Sequence, residues 1–350
     1  MTTSQTHNPV LNNKHLAIWL LVVCALIFTM VVLGGVTRLT RSGLSMVEWE
    51  PIMGIVPPIG QEAWQETFDK YKQFPEYQKI NKGMDLDEFK SIFWFEYSHR
   101  VLGRTIGIAF LVPFLFFLFK GYIRKPLIPK LVIMFILGGL QGVLGWYMVK
   151  SGLVNKPHVS QYRLTAHLSA ALLIYGFMFW VALDLLMERS KLAASNGLTR
   201  LRQLGLITSA TIVIMIMSGG FVAGTKAGLV FNTFPLMSGQ WLPPGGMSMS
   251  PWYMNLFDNL ATIQFNHRLI ALLLFLMVPI YWLMAHKSEL DRHTRLGFHA
   301  LLIMLCVQVA LGISTLLLAV PVWLGATHQA GALVLFAMAL FLNHRLHNTA

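Results

Sequence analysis

Long apolar runs, separated by short polar segments, dominate the hydropathy pattern of the chain. A helix needs roughly 20 mostly apolar residues to cross a bilayer. Eight segments are long enough, and each is predicted to be a transmembrane helix. They cover about residues 16–36, 97–119, 131–149, 164–186, 204–223, 263–284, 298–320 and 322–342. Only a tight turn at Pro321 separates the last two.

The composition agrees with a membrane protein. Of the 350 residues, 55% are hydrophobic and 12% are charged, and the mean hydropathy is +0.59. A soluble domain carries about 25% charged residues. The net charge of +12 does not indicate nucleic-acid binding, because the basic residues lie between apolar runs and form no continuous stripe. Cys24 and Cys306 lie within apolar runs, so no disulfide framework is predicted. The first run is too long for a signal-peptide core and is expected to remain as the first helix.

The distribution of basic residues predicts the orientation. The short loops after the second, fourth and sixth segments contain eleven Lys and Arg residues, against three in the short loops on the other side. Cytoplasmic loops are enriched in these residues, so both termini are expected to be cytoplasmic. The two long connections, about 37–96 and 224–262, then lie outside. Their tryptophans suit an interfacial cap, although solvated loops explain the middle portions equally well; these are Trp49, Trp64, Trp241 and Trp252.

The second half of the sequence repeats motifs of the first half in the same order. The aligned pairs are 34–44 with 219–229, 96–100 with 264–268, 141–145 with 308–312, 165–167 with 326–328, and the shorter 51–53 with 235–237. Each half has four segments, so the halves should run in the same direction, related by an axis along the membrane normal. The predicted fold is an all-α membrane protein whose eight transmembrane helices form two parallel, pseudo-symmetric four-helix bundles, 1–195 and 196–350.

Four histidines lie near the outer ends of the even-numbered segments: His99, His167, His267 and His328. Each is predicted to lie within roughly two turns of its helix start, which would place all four in one layer. A lone intramembrane histidine commonly bonds a neighbouring helix. Two repeat-related pairs instead favour two axial ligands for a haem in each half. Zinc is disfavoured, because neither pair has the Cys or carboxylate partners of a tetrahedral site.

One ionisable residue distinguishes the two halves. Glu96 precedes His99 by three residues and should share its helix face, whereas Gln264 holds the matching position before His267. Acid–base chemistry or stabilisation of a developing charge would need this carboxylate, and an electron-transferring haem would not. The alternative is an interfacial ion pair with Arg100 or Arg104.

Six cations are expected level with the histidine layer: Arg38, Arg41, Arg100, Arg104, Lys226 and Arg268. Guanidinium groups bind carboxylates through paired hydrogen bonds, so these residues are candidate contacts for haem propionates. Cations that snorkel to the membrane interface are an equally ordinary explanation.

Together these motifs resemble the haem A synthase family. They include 34–44, 96–100 followed by Gly103-Arg104, 138–146, 162–167, 232–237 and 264–268, and the resemblance covers almost the whole chain. The first long connection has no cysteine pair, as in the proteobacterial and mitochondrial branch. That absence argues against electron transfer through thiols at this loop.

The resemblance implies an enzyme of the bacterial inner membrane that oxidises the C8 methyl group of haem O to a formyl group. The product, haem A, would serve terminal oxidases. His99 and His167 would bind the iron of the substrate haem, His267 and His328 a permanent haem b, and Glu96 would act beside the methyl group. Expected partners are membrane lipid, haem O synthase, an electron donor and further copies of the chain. The alternatives are a di-haem electron-transfer protein of the cytochrome b kind and, less in keeping with the histidines, a transporter built from parallel repeats.

Overall fold

The computed structural model describes residues 9–47, 53–152, 159–187 and 196–347, and the regular secondary structure within them is helical with no β-strand. In chain order the helices are α1 (Pro9–Leu39), α2 (Gly60–Lys72), α3 (Pro75–Lys79), α4 (Leu86–Phe119), α5 (Ile128–Gly152), α6 (Gln161–Leu186), α7 (Asn196–Thr225), α8 (Leu260–His286), α9 (Arg292–Leu317) and α10 (Val322–His347). All except α2 and α3 are long and apolar enough to cross a membrane. The eight spans predicted from the sequence are therefore confirmed within the described residues.

The start of α4 is the main departure from the predicted elements. The helix begins at Leu86, not near residue 97. Its N-terminus is fixed by a capping box, in which the Asp85 side chain accepts from the Glu88 N–H and the Glu88 carboxylate accepts from the Asp85 N–H. His99 consequently lies almost four turns from its helix start, so the prediction of two turns is wrong for this residue. The other three histidines do lie within about two turns.

The four long helices of each half pack in a closed ring. In the first half, α1, α4, α5 and α6 contact one another in that order, and α6 returns to α1. In the second half, α7, α8, α9 and α10 contact one another in the same way. Helices α4 and α6 therefore lie diagonally across the first ring, as α8 and α10 do across the second. Between the rings, α1 packs on α10 and α6 packs on α7.

One hydrophobic core extends through both rings. Its fully buried members include Leu20 of α1, Leu172 of α6, Val278 of α8 and Leu342 of α10. The core shows no break between the halves, so their apolar surfaces are buried together. The predicted domain boundary between residues 195 and 196 adjoins 188–195, which lie outside the described residues, and it stays a prediction.

The first long connection builds a second, smaller aromatic core. Trp64, Phe68 and Tyr71 of α2 pack against Phe89 and Phe93 of α4. The rings of Phe68 and Phe89 stack with their centroids 5.0 Å apart. Trp64 is therefore a core residue of this connection, which corrects its interpretation as an interfacial anchor.

The second long connection is built differently. No charged residue occurs between Lys226 and Asp258. Trp241 and Trp252 are 77% and 66% exposed, which is compatible with the predicted interfacial cap. Trp49 and most of the short repeat at 51–53 lie outside the described residues.

Candidate functional site

Two of the predicted histidines pack closely against glycines of the preceding helix. A Cβ atom added to Gly145 of α5 would lie 3.0 Å from Cε1 of His167, and one added to Gly312 of α9 would lie 2.9 Å from Cε1 of His328. Side chains at these positions would overlap the imidazoles. The two glycines are matched positions of the sequence repeat, so the same close approach is made in each half.

The other two histidines meet glycines on the first helix of each half. A Cβ atom added to Gly34 of α1 would lie 3.2 Å from Nε2 of His99. One added to Gly219 of α7 would lie 3.4 Å from Cε1 of His267. These glycines belong to the longest aligned motif. In both halves, therefore, glycines on the two intervening helices provide the space that the histidines occupy.

The histidines of each half come from diagonally opposite helices. His99 on α4 and His167 on α6 lie within electrostatic range of each other, as do His267 on α8 and His328 on α10. Two imidazoles on opposite helices of a four-helix ring can bind a planar macrocycle from its two faces. The structure thus brings together the two predicted pairs.

The state of the imidazole nitrogens fits a metalloporphyrin. Nδ1 of His167 and Nδ1 of His328 are buried and have no hydrogen-bond partner within the described residues. Neither ring is therefore held through Nδ1 by a neighbouring helix, as a purely structural intramembrane histidine commonly is. In the same part of the chain, no three His, Cys, Asp or Glu side chains gather as they would around a lone metal ion. Two imidazoles per half suit haem iron, whose other ligands come from the macrocycle.

Two glutamines hold the turns that carry the second histidine of each pair. Nε2 of Gln141 donates to the main-chain oxygen of His167 at 2.8 Å, and Nε2 of Gln308 donates to that of His328, also at 2.8 Å. The sequence alignment matches these glutamines but assigns them no role. The structure shows that each one links the glycine-bearing helix to the histidine-bearing helix.

Glu96 lies in a buried hydrogen-bond network beside the first pair. Its Oε2 accepts from the Ser45 hydroxyl at 2.8 Å and from the Met46 N–H at 2.9 Å, and its Oε1 accepts from Arg100 at 2.6 Å. Only 4% of Glu96 is exposed. The ion pair with Arg100, considered as the alternative role of Glu96, is therefore present. The carboxylate ties the segment after α1 to α4.

The second half builds a related network around an amide that both accepts and donates. Nε2 of Gln264 donates to the Ala227 and Phe231 oxygens at 3.1 and 3.3 Å. Nη2 of Arg268 donates to the Phe231 oxygen at 2.8 Å and to Oε1 of Gln264 at 3.2 Å. Nη2 of Arg100 donates to the Met46 oxygen at 2.7 Å, and Met46 and Phe231 each lie two residues after the longest aligned motif. The bond from arginine to a main-chain carbonyl is common to both halves, and the carboxylate is specific to the first.

Three of the candidate propionate contacts also bind the main chain. Arg100 and Arg268 make the bonds just described. Arg38 donates to the oxygens of Ala223 and Gly224 at the end of α7, at 3.2 and 2.9 Å. These guanidinium groups therefore hold loops and helix ends around the site, whatever else they bind.

Two further candidates occupy matched and unusual positions. Arg41 and Lys226 are exposed, and both have left-handed backbone, with φ of 56° and 61°. Partial burial, followed by the charges of Arg41 and Arg38, lowers the pKa of Lys226, and Glu76 partly offsets this effect. This cluster of positive charge, where the two halves meet, suits carboxylates. The sixth candidate, Arg104, is half-buried further along α4.

Ser218 is a site residue that the sequence analysis does not single out. Its hydroxyl oxygen lies 3.1 Å from Nδ1 of His267. The matched position in the first half is Leu33, which has no polar atom to offer His99. The available signal is this Leu/Ser difference beside the first aligned glycine.

Comparison with known proteins identifies the family of the chain. The model of the COX15-CtaA family, described as cytochrome oxidase assembly protein, matches residues 17–340. The Heme A synthase of Nitrosospira multiformis is 59% identical over 95% of this chain and 94% of its own length. That of Nitrosomonas eutropha is 51% identical over 96% and 94%. Heme A synthase COX15 of Arabidopsis thaliana is 47% identical over 95% of this chain and 75% of its own length. The chain therefore belongs to the cytochrome oxidase assembly family that includes these haem A synthases.

Proposed function

We propose that the protein is a haem A synthase, a membrane oxidoreductase that converts the C8 methyl group of haem O into a formyl group. One observation carries this proposal beyond family membership. Both halves hold a histidine pair on diagonal helices, and of the two matched residues that precede the pairs, Glu96 is a carboxylate and Gln264 is not. An enzyme with a haem substrate and a haem cofactor needs two similar haem sites, one of which has an ionisable group that can take part in the reaction.

We assign the second half to the cofactor, with haem b bound by His267 and His328. Bound there, haem b supplies one-electron transfer. The Ser218 hydroxyl can accept a hydrogen bond from His267 and so fix the orientation of its ring, a common function of groups behind a metal ligand. Gln264 adds no charge beside this pair.

We assign the first half to haem O, with its iron bound by His99 and His167 and with Glu96 beside the reacting methyl group. Gln264, at the matched position of the other half, makes buried hydrogen bonds without a charge and donates two of them, so the matched helix turn is built there without a carboxylate. Arg100 and the Met46 N–H hold the Glu96 carboxylate in one orientation. A fixed carboxylate can take up a proton or stabilise a cationic intermediate.

The distribution of charge supports a location in the bacterial inner membrane with both termini in the cytoplasm. The positively charged loops follow α4, α6 and α8. The identical contact order of the two rings also supports a pseudo-two-fold axis along the membrane normal. In a variant without native cysteines, a cysteine within 120–130 should be labelled only from the cytoplasm, and one at Gln240 only from outside. The reverse pattern would overturn this orientation.

The function is tested by the pigments of the purified protein. We expect protein from cells that make haem O to contain haem b together with haem O or haem A, separable by mass after extraction. Cells that lack the protein should accumulate haem O and make no haem A. A protein that carries only haem b at both sites, and whose removal leaves haem A unchanged, would instead be a di-haem electron-transfer protein.

A further inference from the structure

A second carboxylate lies buried above the first-half site. Glu76, in the short helix α3, is 6% exposed. The hydroxyl of Tyr71, itself fully buried, donates to Oε2 of Glu76 at 3.2 Å. Nδ2 of Asn81 donates to the Tyr71 hydroxyl at 2.7 Å. Asn81 is partly exposed, so this chain of hydrogen bonds leads from Glu76 towards water on the side of the long connections.

Ionisable groups from four separate elements lie close enough to Glu76 to influence its charge. They are Glu96 of α4, Tyr71 of α2, Arg38 of α1 and Lys226 after α7. Burial, and then the negative charge of Glu96, raises the pKa of Glu76 to about 7, although Tyr71 and the two cations act in the opposite direction. A group of this kind gains and loses a proton near neutral pH.

The two carboxylates differ in the number of hydrogen bonds that they accept. Glu96 is held as an acceptor by three donors, so a proton that it takes up from the site has to be passed on. Glu76 accepts one side-chain hydrogen bond. Of the two, Glu76 has the room for a proton. No counterpart exists in the second half, whose long connection has no charged residue from 227 to 257.

We propose that Glu76 is the proton-exchange partner of Glu96, and that it carries protons between the first-half site and water on the side of the long connections. The proposal rests on the proposed function, because oxidation of a methyl group to a formyl group requires protons to enter or leave the site. The step is a proton transfer between carboxylate and water or between the two carboxylates. No electrons move in it. Glu76 acts through Glu96 and is a positioning residue of the reaction.

The first test follows the proton directly, by infrared titration of the purified, haem-loaded protein. A protonated-carboxyl band should disappear as the pH rises through about 7 in the wild type and in Glu62→Gln, a matched change at an exposed position of α2. The band should be missing in Glu76→Gln. In Glu96→Gln it should titrate at lower pH, because the neighbouring negative charge is gone. The proposal would be overturned by a band that persists in Glu76→Gln, or by a band that titrates at the same pH in Glu96→Gln as in the wild type.

The second test measures haem A formed per haem-loaded molecule in cells at external pH values of about 6 to 8. This range lies on both sides of the Glu76 pKa of about 7. We expect Glu76→Gln to lower the amount of haem A formed by about tenfold or more and to abolish the dependence of that amount on pH near neutrality. Glu76→Asp should restore both the amount and its pH dependence. Normal turnover of Glu76→Gln at every pH would refute the role.

If Glu76→Gln does not fold, Tyr71→Phe serves as the test. This variant removes the hydrogen bond to the ionised form of Glu76, so the titration of the carboxyl band and the pH profile of haem A formation should both move to higher pH. If the wild type makes no haem A, the proposed function fails, while the infrared result for Glu76 stands or falls separately.

Discussion

The two halves of the molecule show which parts of the site are architectural and which are chemical. Both have an arginine, Arg100 or Arg268, that binds a main-chain carbonyl after the first helix of its half. Both place histidines against glycines. They differ beside the first histidine, where Glu96 stands in one half and Gln264 in the other. Gln264 holds its half through hydrogen bonds that it partly donates, so the carboxylate of Glu96 is the difference that the proposed chemistry uses.

The two long connections repeat this contrast. The first has its own aromatic core, carries charges of both signs and holds Glu76 above the site. The second is uncharged from 227 to 257 and exposes Trp241 and Trp252. All the buried acidic groups found near the histidine pairs in the described residues thus belong to the first half. The duplicated scaffold became asymmetric through its loops and a few side chains.

The largest effect should come from removing the histidines. We expect His267→Ala or His328→Ala to abolish the haem b spectrum, because one imidazole cannot replace the second axial ligand. His99→Ala and His167→Ala should keep haem b and lose bound haem O. Absorption spectra and extracted haems measure both. Full haem b content in both second-half variants would show that the halves have been assigned wrongly.

Glu96→Gln should separate catalysis from assembly. The variant is nearly isosteric with the wild-type side chain, so we expect normal insertion and a normal haem b content. It removes a charge and a proton acceptor, which should lower haem A formation by roughly 10²-fold or more. Haem O or a partly oxidised product should accumulate. The measurement is haem A per mole of haem-loaded protein.

A purely structural ion pair with Arg100 makes the opposite prediction for Glu96→Gln, namely lower yield with normal turnover per molecule. The matched change in the second half is Gln264→Glu. Nε2 of Gln264 donates to the Ala227 and Phe231 oxygens, so a carboxylate here would face two carbonyls. We therefore expect this variant to lower protein yield or haem b content. A Gln264→Glu protein with normal yield and normal haem b would show that the amide's hydrogen bonds do not hold this half together.

The matched glycines allow each half to be perturbed separately. The new methyl group of Gly312→Ala would lie 2.9 Å from His328, so we expect a several-fold lower haem b content. Gly145→Ala should instead reduce haem O binding and haem A formation. Gly142→Ala, where a Cβ meets nothing within 4 Å, is the control, and better helix propensity should make it neutral or up to about 1 kcal/mol more stable. Equal loss of haem b in Gly145→Ala and Gly312→Ala would contradict the division between the halves.

The sequence predicts the spans and the histidine pairs because both leave strong local signals. An apolar run of sufficient length has few alternatives to a membrane helix, and a repeat shows which polar residues recur. The start of α4 was missed because hydropathy falls before residue 97, although the helix continues. Asp85 and Glu88 form a recognisable capping box, which is the signal that would have found it.

The tertiary networks could not be predicted in the same way. Glu76 is distant from Glu96 in sequence, and its environment depends on how α2 and α3 pack against α4. Its charged neighbours come from helices in both halves. The partners of Gln141 and Gln308 likewise become visible only when neighbouring helices are in register. Such contacts are set by packing, which a linear pattern does not encode.

The smallest expected effect, and the sharpest comparison, concerns the group behind His267. When Nε2 of His267 binds iron, Nδ1 carries the proton and can donate to the Ser218 hydroxyl, which makes the ligand more electron-rich and favours oxidised iron. Ser218→Ala removes that acceptor. If the free energy of the bond between His267 and Ser218 differs by about 0.5–1 kcal/mol between the two oxidation states, the reduction potential of haem b should rise by roughly 20–40 mV, with haem content unchanged.

Leu33→Ser makes the reciprocal change beside His99 and should leave haem b at its wild-type potential. Potentiometric titration of the haem b absorption band measures both variants. A Ser218→Ala protein with the wild-type potential, or an equal shift in Leu33→Ser, would show that this hydroxyl does not tune the second-half haem.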